Sequence, residues 1–93
     1  MIVSTVLLKL KSAENFSPIK EKLMGMKGKI PQLKDMKVMA NVRSSPGGFD
    51  MIMIAEYNSL ADFDEYVAHP VHVEVGEFVV GLCEQIASVL HEK

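Results

Sequence analysis

Two stretches of the sequence are apolar on both faces of the strands that they predict. Residues 2–10 are rich in β-branched and aliphatic side chains, and residues 49–57 also carry apolar side chains on both faces of the predicted strand. Short runs of this kind are typical of β-strands. In a largely antiparallel sheet one face usually meets water, whereas these strands require a cover on both faces. A chain of 93 residues is too short to supply both covers. The sequence therefore predicts a sheet with its own helices on one face and a second copy of the chain on the other.

The order of the predicted elements defines the fold class. Periodicity and turn residues predict, in chain order, a strand over residues 2–10, a helix over 17–31, strands over 36–43 and 49–57, a helical region over 59–81 and a strand over 82–91. Ser17 and Ser59 are the expected N-caps, and Gly81 is expected to end the second helical region. This β-α-β-β-α-β order is typical of a ferredoxin-like α+β fold with a four-stranded antiparallel sheet. We expect one domain over residues 1–93, forming a dimeric α/β barrel through its open sheet face.

The segment Tyr66-Val67-Ala68-His69-Pro70-Val71-His72 places one phenol and two imidazoles within seven residues. Pro70 has no backbone N–H and disfavours a helical conformation at His69, but it suits the first position of a new helix. One helix should therefore end near Ala68 and another should begin at Pro70. His69 is expected to cap the freed backbone groups. His72 then lies in the first turn of the new helix.

Composition argues against several classes of partner. The net charge of −2 and a pI near 5.9 give no basic field for nucleic acid. No apolar run approaches the length of a membrane span, and the N-terminus lacks the pattern of a signal peptide. The single cysteine, Cys83, rules out an internal disulfide framework and fits a reducing compartment. We predict a cytoplasmic protein that contacts neither nucleic acid nor membrane.

These segments resemble the stress-responsive A/B-barrel (Dabb) family over essentially the whole chain. The matching features are Val6-Leu7-Leu8-Lys9-Leu10-Lys11, Ile30-Pro31-Gln32-Leu33, Phe49-Asp50 and, most specific of all, a Tyr-x-x-His-Pro-x-His signature at residues 66–72. The resemblance implies a dimeric α+β barrel, often without an assigned biochemical role. It also implies kinship with plant stress-associated proteins and a polyketide cyclase, in which a tyrosine and a histidine matching Tyr66 and His72 act on the substrate. This chain departs from many relatives at Ser4, where they carry a histidine.

The sequence supports a candidate site around His72. The positive end of a helix dipole disfavours imidazolium, so a histidine in the first turn suits a neutral general base. Tyr66 could orient a substrate carbonyl or donate its phenol proton. The strand residues expected to face the helices are Ser4, Val6, Leu8, Met53, Ala55 and Ile86. They would line an apolar pocket together with Phe78, which is expected to point inward from the second helical region. A purely structural role for Tyr66 and His72, fixing the helix break and closing the mouth of the cavity, is the alternative.

No metal or cofactor is expected. His69 and His72 would have to converge on one continuous helix to share a metal ion, and Pro70 separates them. His69 and Pro70 are instead interpreted as a structural cap. Three functions are possible. The first is a homodimer that binds a small apolar or carbonyl-containing ligand without turnover. The second is a cofactor-independent cyclase, isomerase or lyase with His72 as base and Tyr66 as orienting acid, and the third is a cofactor-independent monooxygenase. The last rests on analogy of fold.

Overall fold

A four-stranded antiparallel sheet forms one layer of the protein, and three α-helices pack on one of its faces. The computed structural model describes all 93 residues. Its elements are β1 (Ile2–Leu10), α1 (Phe16–Met24), β2 (Asp35–Ala40), β3 (Met51–Tyr57), α2 (Leu60–Ala68), α3 (Pro70–Leu82) and β4 (Cys83–Glu92). The strand order is β2-β3-β1-β4, and every neighbouring pair is antiparallel. The ferredoxin-like α+β fold, with its second helical region split at His69-Pro70, is confirmed.

The first helix begins earlier than predicted. A short 3-10 helix over Ala13–Asn15 leads directly into α1, so the N-cap is Asn15 and the prediction of Ser17 is wrong. In neither helix does the side chain of the N-cap residue accept a hydrogen bond from the backbone. The preceding 3-10 helix supplies backbone groups where a capping side chain would otherwise be needed.

The first helix also ends earlier than predicted, at Met24 rather than Pro31. Turns follow it, and Gly28 adopts a φ of 89°, which glycine tolerates and which cannot continue a helix. Met26 and Ile30 nevertheless reach the core, each with 1% of its surface exposed. Their apolar spacing marked buried positions correctly, although the backbone that carries them is a series of turns.

Three other boundaries differ from the prediction. β2 ends at Ala40, and β3 begins only at Met51, because the intervening loop forms local bonds of its own. In that loop the Asn41 side chain donates to the Phe49 carbonyl at 2.7 Å. At the end of α3, Gly81 stays helical and the helix continues to Leu82, so Gly81 is not the C-terminal stop.

The core lies between the helices and one face of the sheet. The buried apolar cluster joins alternate residues of β1 and β3 to side chains of α1, α2 and α3. Val75 and Val79 of α3 belong to it. The prediction that Phe78 also points inward is wrong, since Phe78 is exposed. Successive helical residues are turned by about 100°, so Phe78 projects about 100° away from Val79, on the side of α3 that is turned away from the core.

The opposite face of the sheet, which we call the open face, has no helix on it. The strand registers place the following residues there: Val3, Thr5, Leu7, Met39, Ile52, Ile54, Ala87 and Val89. Val89 is 63% exposed and Met39 is 42% exposed. β1 and β3 are thus apolar on both faces, as their sequences indicate. None of the helices is long and apolar enough to cross a membrane.

Candidate functional site

The break between α2 and α3 is built by local capping chemistry. Ser59 caps α2, as predicted, because its hydroxyl accepts the Asp62 N–H at 3.1 Å. His69 has φ −64° and ψ 134°, the extended conformation that a residue before proline favours. Its Nδ1 accepts the Val71 N–H at 3.1 Å and thereby caps α3, which begins at Pro70. His69 is engaged with the backbone and is absent from the cavity described below.

His72 is held in one tautomer by the end of the preceding helix. Its Nδ1 lies 2.9 Å from the backbone carbonyl oxygen of Val67. Because a carbonyl oxygen can only accept, the Nδ1 atom must carry the proton in this bond. In the neutral ring the lone pair is then on Nε2, which can accept a hydrogen bond or a proton. The break at Pro70 makes this possible, since it frees the Val67 carbonyl near the end of α2.

Tyr66 packs directly against this imidazole. The two ring centroids are 4.4 Å apart, and Tyr66 is only 3% exposed. Its hydroxyl donates to the Met26 Sδ atom at 4.0 Å, and a thioether is a weak acceptor. The Tyr66 O–H is therefore a donor without a strong protein acceptor. Burial raises the pKa of the Tyr66 phenol, and the neighbouring Tyr57 hydroxyl offsets part of that effect.

Tyr57 supports Tyr66 from the core side. Its side chain is fully buried, its ring centroid lies 4.9 Å from that of Tyr66, and its hydroxyl has no hydrogen-bond partner. Burial, followed by the proximity of the Tyr66 phenol, raises the pKa of Tyr57 well above its ordinary value. Both phenols thus remain protonated through the neutral range.

A cavity of about 140 Å³ opens beside Tyr66 and His72, between the sheet and the helices. Of the predicted pocket residues, the structure places Val6, Leu8, Met53 and Ile86 in its wall. Ser4 and Ala55 are buried but do not line the cavity. They form the cross-strand pair beyond Val6 and Met53, one step along the sheet from the cavity.

Phe78 also lies outside the cavity wall. It is exposed, and the Lys22 ammonium stands 5.5 Å from the centre of its ring. Phe78 therefore takes part in a cation–π contact on the helix surface, and α3 presents other residues to the cavity.

Half of the cavity wall was not foreseen from the sequence. The additional lining residues are Leu23, Met26, Val75, Gly76, Val79 and Val80. Those of α3 could have been found from spacing, because residues three and four apart share a helix face. Val75 and Gly76 follow His72 by three and four residues, and Val79 and Val80 follow Gly76 by three and four. Leu23 and Met26 could not, because their approach depends on how α1 packs across α3.

Tyr66 and His72 are the two polar side chains on an otherwise largely apolar cavity wall. His72 and Tyr66 carry the only side-chain nitrogen or oxygen atoms among its lining residues. No three His, Cys, Asp or Glu side chains in the protein converge as a metal site would require. The arrangement suits a small apolar molecule with one polar end, and it suits proton exchange at that end.

The raised phenol pKa values predict how stability depends on alkaline pH. A folded-state pKa above the unfolded value favours the protonated form in the folded protein. The free energy of unfolding should therefore be unaffected by tyrosine ionisation below about pH 10 and should fall above it. Tyr57 and Tyr66 are the only tyrosines, and there is no tryptophan. Ultraviolet titration should show both phenols ionising above pH 10 together with unfolding; ionisation near pH 10 in a chain that remains folded would contradict their burial.

The protein is thus of the ferredoxin-like α+β class, with an apolar cavity beside the break between α2 and α3. Residues 2–89 match the stress responsive A/B barrel domain, Dabb. The chain belongs to this family. No curated protein matches the sequence.

Three solved structures illustrate the likeness. A protein from Arabidopsis thaliana superimposes with a TM-score of 0.89 at 19% identity, covering 100% of this chain and 95% of that chain. The hydroxynitrile lyase from Passiflora edulis gives 0.87 at 18% identity, over 97% of this chain and 90% of the lyase. A dimeric ferredoxin-like protein of unknown function from Bacteroides fragilis gives 0.82 at 22% identity, over 99% and 95% of the respective chains. Likeness at these identities establishes the fold.

Proposed function

We propose that this Dabb protein is a homodimer that binds a small, largely apolar ligand with one hydroxyl or carbonyl group in the cavity beside His72. The observation that carries this proposal is the hydrogen bond between His72 Nδ1 and the Val67 carbonyl oxygen. In the neutral ring this bond leaves the lone pair on Nε2, and His72 lines a cavity whose walls are otherwise almost entirely apolar.

The ligand's polar group follows from the two polar side chains of the cavity. A hydroxyl both donates and accepts, so it can donate to His72 Nε2 and accept from the Tyr66 O–H. A carbonyl oxygen can only accept, so it would bind the Tyr66 O–H and make no hydrogen bond to His72 Nε2. Apolar walls with a few polar groups that fix orientation are usual for small-molecule sites. The weak Met26 sulfur contact leaves the Tyr66 hydroxyl ready to exchange its partner for a ligand.

The homodimer is supported by the open face of the sheet. Its central residues, Leu7, Ile52 and Ile54, are only partly buried in a single chain. A second copy related by a two-fold axis would cover this face with the same residues of its own. The structural relative from Bacteroides fragilis is itself described as a dimeric protein.

Calorimetric titration with phenol tests the ligand-binding proposal. Phenol combines one ring with one hydroxyl, and benzene is the matched control without the hydroxyl. We expect saturable binding of one phenol per chain, about five- to tenfold tighter than benzene, because one net hydrogen bond contributes roughly 1 kcal/mol. Absence of saturable binding by phenol would contradict the proposal, and equal affinity for benzene would contradict the polar contacts.

A second candidate function is a cofactor-independent lyase acting on a hydroxynitrile. It is favoured by the unprotonated Nε2 of His72 and by the fold shared with the Passiflora edulis hydroxynitrile lyase. His72 Nε2 would take the hydroxyl proton while the Tyr66 phenol hydrogen-bonds the same oxygen. As the carbonyl forms, the carbon–cyanide bond breaks and cyanide leaves with the electron pair. Cyanide then takes the hydroxyl proton from the imidazolium, which returns His72 to its starting form. This candidate requires turnover that disappears with the Nε2 lone pair.

A further inference from the structure

We propose that Gly76 sets the size of the ligand, restricting the cavity to molecules with a single six-membered ring. This inference rests on the ligand-binding role proposed above and adds the residue that controls which ligands fit.

The volume of the cavity points to one ring. It measures about 140 Å³. An engineered apolar cavity of about 150 Å³ in another protein binds benzene, so one ring matches this space in size. In such a site each added or lost carbon atom has a large effect on affinity.

Gly76 stands at the centre of the helical stripe that faces this space. It follows His72 by four residues and precedes Val79 and Val80 by three and four, and all of them line the cavity. A Cβ atom built at Gly76 meets no heavy atom within 4 Å. A side chain at this position would therefore occupy free volume between His72 and Val79, where the ligand ring is expected to lie.

Neither backbone strain nor close packing explains this glycine. Its φ is not in the left-handed region, and no neighbouring atom crowds the Cβ position. Glycine within a helix lowers stability by roughly 0.5–1 kcal/mol relative to alanine. A side chain at residue 76 would fill part of the cavity, so the glycine at this position keeps that volume free.

Gly81 supplies a matched control in the same helix. A Cβ atom at Gly81 also meets no heavy atom within 4 Å, and Gly81 does not line the cavity. Gly76→Ala and Gly81→Ala should both raise the melting temperature, because alanine favours the helix at each position. Only the first should change ligand binding.

The test is a calorimetric titration of the wild-type chain, Gly76→Ala, Gly76→Val and Gly81→Ala with phenol, alongside thermal melting. We expect phenol affinity to fall about tenfold in Gly76→Ala. Gly76→Val should lose measurable binding, and Gly81→Ala should bind as wild type does. Folding of each variant is established by its cooperative melt.

The outcomes separate the two proposals. If the wild type binds phenol and both folded Gly76 variants bind it equally well, the role of Gly76 is overturned and the ligand-binding proposal survives. If the wild type itself binds no phenol, the ligand-binding proposal fails and this inference fails with it. Stepwise loss of affinity from glycine to alanine to valine, with Gly81→Ala unchanged, supports the inference.

Discussion

Replacing His72 with asparagine is expected to weaken phenol binding by about 10- to 100-fold, the cost of leaving a buried hydroxyl without its acceptor. The asparagine amide N–H can take the place of Nδ1–H and donate to the Val67 carbonyl, which His72 contacts at 2.9 Å. The variant therefore keeps the bond that closes the helix break, and it lacks the Nε2 lone pair and the ring that packs against Tyr66. Calorimetry measures the affinity, and thermal melting reports the fold.

Two further variants distinguish a role in binding from a role in stability. His72→Gln places an amide oxygen near the position of Nε2 and should recover part of the phenol affinity. His72→Ala removes both functions and the ring that packs 4.4 Å from Tyr66, so it should lose affinity and melt at a lower temperature. If the asparagine variant binds phenol as tightly as wild type, His72 is only a structural residue.

The same variants decide whether the chain is a lyase. Release of benzaldehyde from mandelonitrile, followed by absorbance, would be abolished by His72→Asn if Nε2 is the base. Glutamine should not restore turnover, because an amide oxygen accepts a hydrogen bond but is too weakly basic to take the proton. Turnover that persists in the asparagine variant would contradict the proposed lyase mechanism and leave the binding role intact.

Replacing Val89 with lysine on the open face is expected to raise the dimer dissociation constant by at least about 100-fold, because burying an unpaired charge at an interface costs several kcal/mol. Val89 is 63% exposed in the single chain, so the fold does not depend on its burial. A two-fold dimer carries the substitution twice. Sedimentation equilibrium at micromolar concentration should show the wild type as a dimer and the variant as a monomer.

Val42→Lys is the control for this experiment. It makes the same chemical change at a fully exposed position in the loop after β2, away from the open face. Its sedimentation should match that of the wild type. A wild-type chain that sediments as a monomer, or a Val89→Lys variant that remains a dimer, would contradict dimerisation through this face.

The elements that follow from local chemistry were predictable from the sequence. Pro70 and the residue before it determine the helix break, and Ser59 determines the start of α2. The period-two pattern of β1 and β3 indicated two apolar faces. The early end of α1 was not predictable from apolar spacing, because Met26 and Ile30 remain buried whether a helix or turns carry them.

The candidate site was predictable only in part, because alternation along a strand gives the face of a residue but not its distance from the cavity. Strand alternation identified Val6, Leu8 and Met53 as facing the helices. It could not tell them from Ser4 and Ala55, which share that face but lie one pair farther along the sheet. Three features of the site depend on how the helices pack across one another, and alternation does not give them. They are the residues that α1 adds to the cavity wall, the rotation of α3 about its axis and the volume of the cavity.

The location of bound phenol tests the central claim most directly. Backbone amide chemical shifts of the labelled protein can be followed during a phenol titration. The largest saturable changes should fall on His72, Gly76 and Val79, which line the cavity. Saturable changes confined to the open face, at residues such as Leu7, Ile54 and Val89, would place the ligand on the other side of the sheet and contradict the proposed site.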